Sequence, residues 1–584
     1  MTSPAVPHAQ LALPERFFPE EFARRYREAG YWTDETFADF ADRAAERFGD
    51  AEALVGNDAN GAPRRYTFVE FASAVAKRAR DFAALGIERG DRVLVQLPNL
   101  AEYPIVVFAL FRLGAIPVFC LPAHRESELA HFARTARASA LVTVARHGGV
   151  NFREIAGRVL DTLRAEGTPL PLVLLLGAES ATESATGTDA AREEKASHML
   201  ALGEPGTSAV TEEGSHEEGA ATGPAARPDP EHLAFLQLSG GTTGTPKLIP
   251  RTHADYLYSI REQAALAGCD ERTRMLVVLP ASHNFTMSSP GIIGVLMHGG
   301  ACVFCDDPTP SAAFERIETE RCTMVSLVPP LALTWLATRG MSKRDLSSLE
   351  VMQVGGAKFP EVAARRIEPE IGCTVQQVFG MAEGLCNFTK LDDPDDLRVT
   401  TQGHPVSPAD EISIRDDDGR PVAPGERGNL WTRGPYTIRG YLGGVDAESF
   451  DDEGFYCSGD IVRRLDNGYL VVEGRAKDQI NRGGEKISAE EVENHLLAHP
   501  AVDDVALVAV PDKVLGERSC AYVISTAPPA AAELKEFVRS RGIAAYKVPD
   551  LFEFAAEFPS TGVGKTSRRD LRRILAAHLA SARA

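Results

Sequence analysis

Cysteine is scarce and unpaired in this chain. There are nine in 584 residues, an odd number without repeated spacing, which excludes a disulfide framework and fits reduced thiols. The single C-x-x-C, Cys302 and Cys305, lies in the apolar, strand-like run Ala301-Cys-Val-Phe-Cys305. No second pair completes a zinc site, so both read as buried thiols. Long apolar runs are also missing: none approaches the roughly 20 residues of a membrane span, and no basic start precedes an apolar signal segment. The expectation is a cytoplasmic protein with no membrane partner. Basic charge is in deficit, with 62 Lys and Arg against 82 Asp and Glu and a net charge of −20, which argues against nucleic acid as a general partner.

What is present is ordinary globular usage, 44% apolar and 25% charged, over a length that calls for more than one domain. The acid is uneven. Residues 178–230 carry 11 acidic against three basic side chains, a net −8, and few large apolar groups to repay the entropy of ordering. This stretch reads as an acidic flexible insertion, mobile or loosely helical around Ala190 to Leu202.

On either side of it, helix-period and short apolar segments alternate. Phe68 to Leu85 and Tyr103 to Leu113 read as helices; Arg92 to Leu97, Ala115 to Cys120, Leu170 to Leu176 and His232 to Leu238 read as strands. The alternation resumes at Met275 to Pro280, Thr323 to Val328 and Val351 to Val354. It predicts an α/β class, with mainly parallel sheets clothed by helices. Beyond Thr400, turn signals such as Asp418-Gly and Asp466-Asn-Gly predict short hairpins, a small β-barrel-like part. The last hundred or so residues read as a small α+β unit, with helices at Ser488 to His499 and Ala531 to Arg541 and strands at Val502 to Val510 and around Cys520 to Ile524.

The strongest chemical signal follows a strand: Leu238-Ser-Gly-Gly-Thr-Thr-Gly-Thr-Pro-Lys247. Gly240, Gly241 and Gly244 let backbone approach a ligand closely. Ser239, Thr242, Thr243 and Thr245 supply hydroxyls and Lys247 a positive charge, a set suited to phosphate oxygens. It is not a Walker A loop, since Pro246 precedes the lysine and Leu248 follows it.

With this loop the chain resembles the adenylate-forming superfamily of acyl- and aryl-CoA ligases, luciferases and nonribosomal peptide synthetase adenylation domains. Four further segments match in order: Gln377-Val-Phe-Gly-Met-Ala-Glu383, Tyr456-Cys-Ser-Gly-Asp460, Gly474 to Ser488, and Pro559-Ser-Thr-Gly-Val-Gly-Lys565. The resemblance implies a large N-terminal domain, residues 1–477, and a small mobile C-terminal one, residues 478–584, turning at the hinge Asp478. That turn withdraws Lys565 and presents the Arg482 to Lys486 face for thiol transfer. It implies ATP and Mg²⁺ as cofactors. Ser239 to Lys247 would grip the β- and γ-phosphates, and Glu383 and Thr243 would hold the metal. Gly355, Gly356, Ala357, Phe379, Gly380 and Met381 would border adenine, and Asp460 with Arg475 the ribose. Lys565 would bridge the carboxylate and the α-phosphate, needing no shifted pKa for it. Phe379 stands where many members carry tyrosine.

Pro280-Ala-Ser-His-Asn-Phe-Thr-Met-Ser-Ser-Pro-Gly291, Gly114 to Arg125 and Gly380 to Asp393 resemble the stand-alone 2,3-dihydroxybenzoate-AMP ligases of siderophore pathways. The resemblance places His283 against the substrate carboxylate, Asn284 on the ortho hydroxyl and Ser289 facing the 3-hydroxyl. Phe285 replaces the usual tyrosine and Cys386 the usual valine. The implied acid is 2,3-dihydroxybenzoate, with salicylate and 3-hydroxypicolinate as alternatives. The acceptor is the phosphopantetheine thiol of an aryl carrier protein on another chain. An aryl-CoA ligase remains the second reading, and a non-catalytic binding protein a third.

Overall fold

The computed structural model describes residues 8, 13, 14, 16–178, 198–205, 227–239, 246–482, 485–512, 515–561 and 564–581. The chain divides into two compact units, one holding residues 1–241, 245–323 and 438–447, the other residues 242–244, 324–437 and 448–584.

The first unit is built on a seven-stranded sheet. Its order is Leu248–Thr252, Leu233–Leu238, Ile116–Phe119, Arg92–Gln96, Ala140–Val144, Leu172–Leu176 and Met199–Leu202. Every neighbouring pair is parallel except the first, an antiparallel hairpin that brackets the Ser239–Lys247 loop. All five residues of Leu172–Leu176 are buried, as a strand covered on both faces requires. A second set of strands pairs Arg274–Val277, Ala301–Phe304 and Glu52–Asn57 in parallel, with Pro63–Thr67 antiparallel at the edge.

The helices begin where the sequence supplies caps. Thr67 and Glu70 form a reciprocal capping box at Phe68–Ala84, and Thr252 and Asp255 another at His253–Leu266. Glu102–Leu113 ends on Gly114, whose φ of 80° closes the helix in the left-handed region that glycine adopts freely.

One expectation is corrected. Met199–Leu202 is not helical: it extends the sheet as a parallel edge strand beside Leu172–Leu176, with Leu202 buried. A four-residue apolar run inside a polar stretch is too short for its period to separate strand from helix. Residues 179–197 and 206–226 lie outside the described residues.

In the second unit Met324–Leu327, Val351–Gly355 and Thr374–Gly380 run parallel, and Cys386–Phe388 returns antiparallel. The hairpin-rich region forms an antiparallel sheet of Glu411–Arg415, Arg427–Arg433, Tyr456–Arg464 and Leu470–Arg475. Further on, Asp504–Asp512 pairs with Gly516–Ile524, which also pairs in parallel with Leu551–Phe554. Against these pack Ala489–Leu497, capped by Ser488, and Arg568–Ser581, a closing helix that the sequence reading omits. No helix among the described residues is long and apolar enough to cross a membrane.

Candidate functional site

The phosphate-loop candidates divide. Gly240, Gly241, Thr242, Thr243 and Gly244 lie outside the described residues. The two ends are placed: Ser239 N–H donates to the Lys247 carbonyl at 2.9 Å, and Lys247 N–H donates to Ser239 Oγ at 2.9 Å. These two bonds close the base of the hairpin. The Lys247 ammonium pairs with Asp446 and lies 4.6 Å from the centroid of the Tyr441 ring. The sequence reading contains neither partner, because both lie about 200 residues away and outside any motif.

The aryl-acid candidates of the first unit share one turn. His283 caps Asn284–Ser288, its Nδ1 accepting from Phe285 N–H at 3.3 Å. With Nδ1 as acceptor, the neutral ring carries its hydrogen on Nε2, where it can donate to an anion. Phe285 is buried, and Ser289, also buried, closes the turn ahead of a cis Pro290. Asn284 Oδ1 accepts from the hydroxyl of Tyr256 at 2.6 Å. Tyr256 carries no sequence signal, since its contact joins a separate helix to the motif.

In the second unit the structure brings Asp460, Arg475, Gly356 and Lys565 together. Asp460 and Arg475 face each other across adjacent strands, and Arg475 Nε donates to Asp460 Oδ1 at 3.0 Å. Asp460 is buried while the Arg475 side chain is 43% exposed. The neighbouring Asp460 carboxylate raises the guanidinium pKa. Lys565 projects from a turn closed by Thr561 N–H on the Lys565 carbonyl at 2.7 Å. A Cβ on Gly356 would stand 2.7 Å from Lys565 Cε and 3.1 Å from Nζ. Burial, reinforced by Arg475 and opposed by Asp460, brings the Lys565 amine down to about 8. The side chain retains partial solvent access. The role given to Lys565 from the sequence needs no such shift, and the fold provides one.

The remaining candidates of this unit lie along Thr374–Phe388, apart from Gly355 and Ala357. Phe379 is half-buried against a cluster that includes Leu385, Leu430 and Val462, leaving part of its ring open. Gly380 is exposed and Met381 half-buried; Glu383 is buried in the turn before Cys386. Cys386 is buried, its N–H donating to Tyr436 Oη at 3.2 Å. Gly355 ends a buried strand, and Ala357 is exposed just beyond it.

Asp478 is held by the closing helix: Arg572 Nη2 donates to its Oδ1 at 3.1 Å, and Arg568 lies 3.8 Å away. Arg482 pairs with Asp550 at 2.8 Å. Residues 483 and 484 and the Lys486 side chain lie outside the description. All nine cysteines are free, and Cys302 and Cys305 are buried as expected; desolvation raises both thiols, Cys305 to about 11.

The AMP-binding enzyme model matches residues 41–442, and the AMP-binding enzyme C-terminal domain model matches residues 491–565. The chain belongs to this AMP-binding, adenylate-forming family. It is 47% identical over 567 residues to the 2,3-dihydroxybenzoate-AMP ligase of Bacillus subtilis (strain 168), covering 96% of this chain and 98% of that one. Against the salicyl-AMP ligase / salicyl-S-ArCP synthetase of Mycobacterium tuberculosis it is 41% identical, over 96% and 94% of the two chains. The apo structure of Mycobacterium smegmatis MbtA aligns with TM-score 0.66 at 41% identity, over 95% and 98%.

Proposed function

We propose that this enzyme activates an ortho-hydroxy aryl acid, 2,3-dihydroxybenzoate first, as its adenylate with release of pyrophosphate. It then passes the aryl group to the phosphopantetheine thiol of an aryl carrier protein in siderophore or nonribosomal peptide assembly. The observation that carries the reading is the meeting of Lys565, Gly356 and the Asp460–Arg475 pair. A cation there can sit on developing phosphate charge, and a buried carboxylate beside it can accept from ribose hydroxyls. Relatives named as 2,3-dihydroxybenzoate-AMP and salicyl-AMP ligases support the acid class.

His283 orients the carboxylate through Nε2–H, and Asn284 with Ser289 reads the ring. A site that hydrogen-bonds a ring substituent rejects the analogue lacking it, because its own polar groups are left unpaired. The C-terminal segment from Asp478 serves as a moving part, with Arg568 and Arg572 holding the hinge carboxylate.

No group of three or more metal-type ligands occurs among the described residues. A magnesium ion arriving with nucleotide phosphates needs only one or two protein carboxylates, and the buried Glu383 fits that demand. When bound, the ion neutralises phosphate charge.

ATP–pyrophosphate exchange over a panel of aryl acids tests the activity. Strongest exchange with 2,3-dihydroxybenzoate is expected; exchange confined to aliphatic acids would overturn the reading. Discharge of the preformed adenylate by free coenzyme A, but not by a carrier protein, would favour the aryl-CoA ligase.

A further inference from the structure

The reading of Asn284 as an aryl-acid contact leaves one question that its neighbours answer: which end of the amide is offered to the ring. A carboxamide has one acceptor end and one donor end of nearly equal size. Asn284 Oδ1 lies 2.6 Å from Tyr256 Oη, and Tyr256 Oη lies 2.6 Å from Ser288 Oγ. Ser288 Oγ in turn donates to the Asn284 carbonyl at 2.8 Å. Tyr256 is 2% exposed and Ser288 1%, so water does not compete for their two hydroxyls.

Burial, partly offset by Ser288, pushes the phenol up to about 12, and it therefore keeps its hydrogen to donate. Gln237 acts on the same hydroxyl, although its buried Nε2 makes no hydrogen bond of ordinary geometry. Asn284 itself is only half-buried, and its Nδ2 has no bond among the described residues.

We propose that Tyr256 is a positioning residue that fixes the polarity of Asn284, turning Oδ1 inward and offering Nδ2–H, a donor, to the ortho position of the acid. This rests on the proposed function. An ortho-hydroxy aryl carboxylate gives its phenolic hydrogen to its own carboxylate and leaves the phenolic oxygen as an acceptor, which matches Nδ2–H. An ortho-amino acid of the same size cannot match it: its nitrogen lone pair is delocalised into the ring, and its outward N–H meets another N–H. Selection is therefore by hydrogen-bond polarity as well as by shape. If the amide were turned instead, the Tyr256 hydrogen would go to Ser288 and the preference between the two acids would reverse.

The experiment compares kcat/KM for 2-hydroxybenzoate, 2-aminobenzoate and benzoate in ATP–pyrophosphate exchange. In the unaltered enzyme the hydroxy acid should lead the amino acid by on the order of 10²-fold. Tyr256→Phe, which frees the amide to turn, should narrow that ratio at least about tenfold through KM, with kcat for benzoate changed less than about twofold. Asn284→Asp, which offers acceptors only, should move the preference toward the amino acid. If Tyr256→Phe fails to fold, the unaltered enzyme and Asn284→Asp still decide the matter. Three results overturn the proposal: an unaltered enzyme that prefers 2-aminobenzoate, an unchanged ratio in folded Tyr256→Phe, or no shift in Asn284→Asp. Benzoate used as well as 2-hydroxybenzoate by the unaltered enzyme would instead refute the reading of Asn284 on which the proposal stands.

Discussion

Lys565 lies against Gly356 so closely that no side chain fits between them: a Cβ would come within 2.7 Å of Cε. Gly356 also has φ +84°, a region that costs other residues about 1–2 kcal/mol. The lysine tip is flexible and can move away, so the steric part of any substitution falls on function more than on folding.

Gly356→Ala should therefore lower adenylation by at least about tenfold through misplacement of Lys565, while stability falls by only about 1–2 kcal/mol. Pyrophosphate exchange and denaturant unfolding, measured together, separate the two effects. Lys565→Ala should abolish most exchange while ATP binding stays detectable by calorimetry; unchanged exchange refutes the catalytic assignment.

The pH dependence follows from the sign of the lysine shift. Burial disfavours the ammonium form and brings the pKa down to about 8, so the charge is present below that pH and lost above it. The kcat/KM of adenylation should fall as pH rises through about 8 in the free enzyme, by roughly tenfold per unit once past the midpoint. Lys565→Arg, slower throughout, should lack that alkaline limb because guanidinium stays charged.

Much of this was legible in sequence because glycine-rich turns and strand-end motifs carry their chemistry locally. The βα alternation, the helix beginning near Ser488 and the order Asp460, Arg475, Lys565 all depend on residues near one another or on a repeated period. Contacts joining remote segments were not legible. Tyr256 reaches Asn284 from another helix, Asp446 reaches Lys247 across about 200 residues, and Arg568 and Arg572 reach Asp478 from the closing helix. The pKa of Lys565 was likewise hidden, since desolvation is a property of everything packed around the amine.

Ser289 gives a specificity prediction. It is 5% exposed and ends the turn that bears His283 and Asn284. Ser289→Cys replaces a hydroxyl with a weaker hydrogen-bonding thiol, so the kcat/KM ratio should move from 2,3-dihydroxybenzoate toward salicylate by roughly tenfold, about the 1.4 kcal/mol of one hydrogen bond. A ratio that stays constant contradicts the placement of Ser289 at the 3-hydroxyl.

The edge strand Met199–Leu202 makes a prediction about trimming the acidic stretch. Its backbone pairs with Leu172–Leu176, and the carbonyl of Gly203 just after it accepts from Arg78 Nη2 at 2.6 Å. Arg78 is 1% exposed and also pairs with Asp81 at 3.4 Å, so its guanidinium has little water to fall back on. Removing residues 179–197 and 206–226 with short linkers, but keeping 198–205, should leave adenylation rates within about twofold, because no proposed site residue lies there and the length of a connecting segment changes closure entropy only slowly. Removing 198–205 as well deletes a ladder strand and leaves a buried guanidinium without its carbonyl acceptor. That loss should cost about 1–3 kcal/mol or more, read as a lower denaturant midpoint than in the first deletion. Equal midpoints in the two deletions would mean that this strand adds nothing to the sheet it borders.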